Sequence, residues 1–142
     1  TETEAKKLVL KETTQTLANS ISALLSELYT TDDAAISFCR AFIDHMRFFD
    51  DGSGYFFIND FSGVNIAHGA NEALQGNNDY NLQDANGAYI IRDMINLVQE
   101  NNSAYYEYIW VNPTGGELNK KITYVTKIPR TQYFIGSGFN IK

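Results

Sequence analysis

Gly54-Tyr55-Phe56-Phe57-Ile58-Asn59-Asp60-Phe61-Ser62-Gly63-Val64-Asn65-Ile66-Ala67-His68 is the stretch on which the fold turns. Tyr55–Asp60 and Val64–His68 are apolar-rich runs on either side of the turn sequence Phe61-Ser62-Gly63, and they read as a β-hairpin. Upstream, Asp50-Asp51-Gly52-Ser53-Gly54 is a second turn, and no Gly or Pro precedes Gly52. The chain before it is therefore free to be helical. Leu10, Thr14, Leu17, Ile21, Leu24 and Leu28 step by four and three, a heptad seam interrupted by Thr14, so residues 1–29 read as one long helix. Such a seam serves either a helix lying on its own domain or a dimer interface. Thr30-Thr31-Asp32-Asp33 breaks the pattern, and Thr31 or Asp32 can cap a second helix whose apolar face is Ala35, Phe38, Cys39, Phe42, Met46 and Phe49.

Downstream of the hairpin, Gly69 to Asn86 is polar, without an apolar period, and reads as a long surface loop. Asp84 or Asn86 would cap a helix with apolar positions Ile90, Ile91, Met94, Ile95 and Val98, ending at Asn101-Asn102. Tyr105–Val111, Lys120–Ile128 and Tyr133–Ile141 read as three further strands. Their turns are Asn112-Pro113-Thr114-Gly115-Gly116 and Pro129-Arg130-Thr131. The expected class is α+β, an antiparallel sheet of about five strands with helices packed on it, in a single domain over 1–142.

Composition narrows the function. The 142 residues are 44% hydrophobic and 20% charged, enough to bury a core. A net charge of −6 with no basic patch disfavours nucleic-acid binding. No apolar run approaches the ~20 residues of a membrane span. Beginning at Thr1 without an initiator Met, the chain is expected to be a piece of something longer. Its single cysteine, Cys39, excludes an internal disulfide and reads as a core residue. His45 and His68 lack a Cys or carboxylate at ligand spacing, so neither a metal site nor a cofactor is expected. No G-x-S-x-G, H-E-x-x-H or P-loop occurs, and an enzyme is not expected. Gly136-Ser137-Gly138 reads as close packing of a strand against its neighbour.

The remaining chemistry gathers on the strands. His68 follows Ala67 where a structural strand would prefer an apolar residue. Tyr106, Tyr108 and Trp110 share one strand face by the period-two rule. If the last hairpin pairs Trp110 with Lys121, then Lys121 and Thr123 join that face. Tyr55 and Phe57 are candidates from the first hairpin, and Arg47 is a second cation, with a helix C-terminal charge as its alternative role. An ammonium among aromatic rings, hydroxyls and an imidazole suits a small carboxylate. On residue types alone, the alternative is an edge-strand lysine in solvent beside tyrosines that fill a sheet.

Five ordered motifs resemble a known family. They are G-Y-F-F-I-N-D-F-S-G-V-N-I-A-H (Gly54–His68), D-A-N-G (Asp84–Gly87), E-Y-I-W-V-N-P (Glu107–Pro113), K-I-T-Y-V-T-K-I-P (Lys121–Pro129) and F-I-G-S-G-F (Phe134–Phe139). Together they look like the single Cache domain, the extracytoplasmic sensor of bacterial chemoreceptors and sensor histidine kinases, over residues 30–142. The resemblance implies a PAS-like five-stranded sheet behind a long N-terminal helix, placed between two transmembrane helices that lie outside this sequence. It also implies a periplasmic location and a short-chain carboxylate ligand such as acetate, propionate, pyruvate or lactate. If the heptad seam is a dimer interface, the chain forms a homodimer through its N-terminal helix, and with a vestigial pocket it would instead be a dimerisation module. An amino-acid or amine ligand would require an acidic side chain on the same strand face, and the sequence offers none. The family often has proline after the histidine; Gly69 here removes that restraint from the start of the long loop.

Overall fold

The computed structural model describes residues 1–28, 31–111 and 116–141. Helices Glu2–Leu28 (α1) and Asp32–Ile43 (α2) lead into strands Phe56–Asp60 (β1) and Asn65–His68 (β2). A 3-10 turn at Glu72–Leu74 follows, then helix Ile90–Asn101 (α3) and strands Ser103–Val111 (β3), Leu118–Lys127 (β4) and Tyr133–Ile141 (β5). All neighbours are antiparallel, in the order β2-β1-β5-β4-β3. This is the expected α+β, PAS-like sheet. The breaking residue Thr30 and the turn residues 112–115 lie outside the described residues.

Strand alternation gives the sheet two unlike faces. On one, α1 and α2 close over Phe56, Ile58, Ile66 and Ile135 with Ala18, Ile21, Leu25, Cys39 and Ile43. The expected heptad is only half the buried stripe. Leu10, Thr14, Ala18, Ile21, Ser22 and Leu25 are buried, while Leu28 is 63% exposed. A straight helix turns every 3.6 residues, so a 3.5-residue seam drifts off the sheet. Thr14, the interruption, hydrogen-bonds through Oγ1 to Ser137 Oγ at 2.9 Å inside the core.

Several boundaries differ from expectation. Thr31 does cap α2, as expected, its Oγ1 accepting from the Ala34 N–H at 3.3 Å. The helix stops at Ile43 instead of reaching Phe49: a turn follows at Asp44-His45, and Phe49 itself has φ 66°. Phe48 then exchanges backbone hydrogen bonds with Gly54. Neither Asp84 nor Asn86 caps α3, whose N-cap is Tyr89 without a side-chain bond. Asp84 instead accepts from the N–H groups of Asn86 and Ala88 at 2.9 Å and of Ile109 at 3.0 Å. The D-A-N-G turn therefore pins the outer edge of β3. Nor is the long loop free. Gly76 N–H donates to Asn65 O, and Asn65 N–H to Asn77 O, at 2.8 and 2.9 Å, which covers the edge of β2.

Candidate functional site

The second face of the sheet is covered by α3 and the loop, and between them lies a cavity of about 310 Å³. Its floor exists because β5 presents two glycines there. A Cβ on Gly136 would stand 2.4 Å from Phe57 Cζ, and one on Gly138 would stand 2.7 Å from Thr123 Oγ1 and 3.0 Å from Lys121 Cε. The bare strand thus lets Phe57 and the Lys121 stem lie across it from opposite sides. Ile90, Ile91 and Met94 of α3 form one wall, and Leu74, Asp79 and Leu82 of the loop form another.

At one end the groups are donors. Lys121 Nζ donates to Tyr55 Oη at 3.1 Å, and the Tyr55 ring lies 5.1 Å from that of His68. Burial pulls the Lys121 pKa down, but the phenol oxygens of Tyr108 and Tyr55 outweigh it and hold the ammonium above its usual range. Burial also raises the Tyr108 phenol, although Lys121 opposes it. His68 is lowered to about 4, first by burial, then by the charges of Lys121 and Arg47. Its Nδ1 accepts from the N–H groups of Ala70 and Asn71 at 3.2 and 2.9 Å. The proton of the neutral ring is therefore on Nε2, as a donor. An ammonium, two phenols and an imidazole N–H around an apolar chamber can hold a small anion and cover its hydrocarbon part.

Of the candidates from sequence, Tyr55, Phe57, His68, Tyr108, Trp110 and Lys121 line the cavity. Lys121 pairs with Tyr108, and Trp110 with Asn119, a register two residues from the expected one. A shift of two keeps every side chain on its face, so the grouping survives. Tyr106, Thr123 and Arg47 stand outside the lining. Tyr106 donates to Asp93 Oδ2 on α3, and Thr123 is buried beneath Gly138. Arg47 follows the end of α2, its guanidinium carbon 5.8 Å from the centre of the Tyr55 ring, along a groove with Leu8 and Val9.

Sequence reasoning missed Asn59, Asn65 and Asp79, which also line the cavity. Parity along the hairpin places Asn59 with Tyr55 and Phe57, a usable signal. Asp79 reaches the cavity only through the path of the loop. Gly69 also acts against expectation. Its N–H donates to Phe56 O at 2.9 Å, a bond proline could not make, and so it tightens the rim.

The family model for the Cache domain matches residues 2–142. Among solved structures, a periplasmic sensor domain of a chemotaxis protein superposes with TM-score 0.81 at 26% identity, covering 99% of this chain and 96% of that one. A Cache chemosensory domain whose structure concerns carboxylic acid recognition gives 0.82 at 27%, covering 98% and 95%. In sequence, the sensor histidine kinase MctS of Rhizobium johnstonii is 24% identical over 135 residues, 95% of this chain. The methyl-accepting chemotaxis protein McpP of Pseudomonas putida is 28% identical over 88 residues, 62% of this chain. The chain spans 29% and 16% of the length of those two proteins. With the family model matching residues 2–142 and the fold superposing over nearly the whole chain, the chain belongs to the Cache domain family of extracytoplasmic sensor modules.

Proposed function

We propose that this domain senses a short-chain carboxylate, such as acetate, propionate or pyruvate, as the extracytoplasmic part of a chemotaxis receptor or sensor kinase. The observation that carries the reading is the Lys121 ammonium, held inside the sheet face by Tyr55 and directed at a chamber of small volume. The likeness to a domain studied for carboxylic acid recognition supports it, as do the chemoreceptor and kinase relatives. The carboxylate takes the ammonium and the phenol and imidazole donors, and Phe57, Trp110 and Met94 cover its carbon end. The role is binding, not catalysis. The full-length protein would be held by flanking transmembrane helices, pairing through α1, whose Leu8 and Val9 are 55% and 41% exposed.

Size bounds the affinity. At about −1.5 kcal/mol per heavy atom, a four-atom acetate reaches roughly −6 kcal/mol, a Kd of order tens of micromolar. A charge-assisted hydrogen bond of ~1.5–3 kcal/mol is a large part of that. Calorimetry on Lys121→Ala should show acetate, propionate or pyruvate binding at least tenfold more weakly with the fold intact. Unchanged affinity in a folded variant would remove Lys121 from the site.

A further inference from the structure

The cavity wall is thin at Leu82, which lines it and is also 38% exposed to solvent. Other exposed lining groups are held by the sheet. Trp110 belongs to a paired strand, and the N–H groups of Ala70 and Asn71 donate to His68. The chain around Leu82 is fastened at its two ends. Asp79 N–H donates to Gly63 O at 2.8 Å, and Asp84 accepts from Ile109 N–H at 3.0 Å. Between them the bonds donated by Tyr80, Leu82 and Gln83 run to Asn78, Asp79 and Gly87, within the loop itself. Among the described residues, one hydrogen bond joins this span to a regular element. Arg92 Nη2 of α3 donates to Asn81 Oδ1 at 2.6 Å.

The Arg92 guanidinium carbon also lies 4.5 Å from the Tyr80 ring centre and 4.0 Å from that of Tyr89. No carboxylate pairs with this arginine among the described residues, and its Nε is buried without an acceptor. Two ring faces and one amide therefore hold the cation, and through it the loop. A segment held so sparsely opens at a lower cost than the core around it. We infer that Arg92 is the latch of a gate at Asn81-Leu82-Gln83, setting how fast a ligand enters and leaves the cavity. Arg92 is not among the residues that line the cavity, so it acts on the passage and not on the bound molecule. A contact made alike before and after binding slows entry and exit by one factor and leaves their ratio unchanged. The inference rests on the carboxylate reading for its probe.

The test is an NMR line-shape titration of the 142-residue chain with acetate, propionate and pyruvate, which gives koff beside Kd. Arg92→Ala should raise koff and kon together by about fivefold or more, with Kd held within about twofold. Arg92→Lys, which keeps a charge over the rings, should recover part of the slowing. Arg92→Met, which keeps the stem alone, should not, and this pair decides the matter if the alanine variant does not fold. Without ligand, the Leu82 amide should exchange with solvent about fivefold faster or more in Arg92→Ala. Unchanged rates in folded variants, or a koff that rises only as far as Kd weakens, would overturn the inference and leave the carboxylate reading standing. If none of the three acids binds the wild-type chain, that reading falls, and the Leu82 amide decides the latch by itself.

Discussion

The two faces of the sheet are made from the same five strands yet are finished differently. A 27-residue helix and a 12-residue helix seal one face with aliphatic side chains. The 12-residue α3 covers only part of the other, over Val125 and Phe134. Beyond its reach the strands present Tyr55, Asn59, His68, Tyr108 and Lys121, and a loop completes the enclosure. The sealed face is packed with apolar side chains, and the partly covered face presents the polar and ionisable groups that line the cavity.

Substitution on the sealed face should have the largest effect. Ile21 is fully buried, and Ile21→Ala should cost about 2–5 kcal/mol, lowering the melting temperature by roughly 8–15 °C while carboxylate affinity stays within a few-fold. A large loss of affinity in a folded variant would mean that the faces are not separable. Gly138→Ala tests the strand common to both. Its Cβ would meet Ile122 O at 2.7 Å, backbone that cannot turn aside, as well as Thr123 Oγ1. About 1–3 kcal/mol of destabilisation and a weakened Lys121 site are expected together, by thermal melt and calorimetry.

The smallest effect is in pH. His68 has an ordinary value of 6.5 lowered to about 4. Between those values the unfolded chain takes up a proton that the folded one refuses. Its contribution to stability is therefore complete above pH 6.5 and declines as the pH falls toward 4. Against wild type, His68→Gln should flatten that part of the curve of melting temperature with pH. Equal slopes for the two proteins would show that the imidazole is not held neutral.

The regular elements were more legible in sequence than the cavity because their rule is local. Ile90, Ile91, Met94, Ile95 and Val98 announced α3 by spacing alone, and all are buried. The period of two carried Tyr108 and Lys121 to one face even with the register displaced by two. The cavity depends on contacts distant in the chain, and there the reading fell short. Thr123 and Tyr106 share the right parity, but one is roofed over by Gly138 and the other is drawn to Asp93. Asp79 belongs to no repeating element, and the backbone bonds of its loop to Gly63 and Asn65 bring it inward.

Gly136-Ser137-Gly138 has a consequence for transmission. On one side of this strand lie Phe57 and the Lys121 stem, with no side chain between them and the backbone. On the other, Ser137 grips Thr14 of the longest helix. Floor and helix are thus a single peptide apart. A guest that pushed on the ring or drew on the amine would bear on a thin partition whose far surface is fastened to α1.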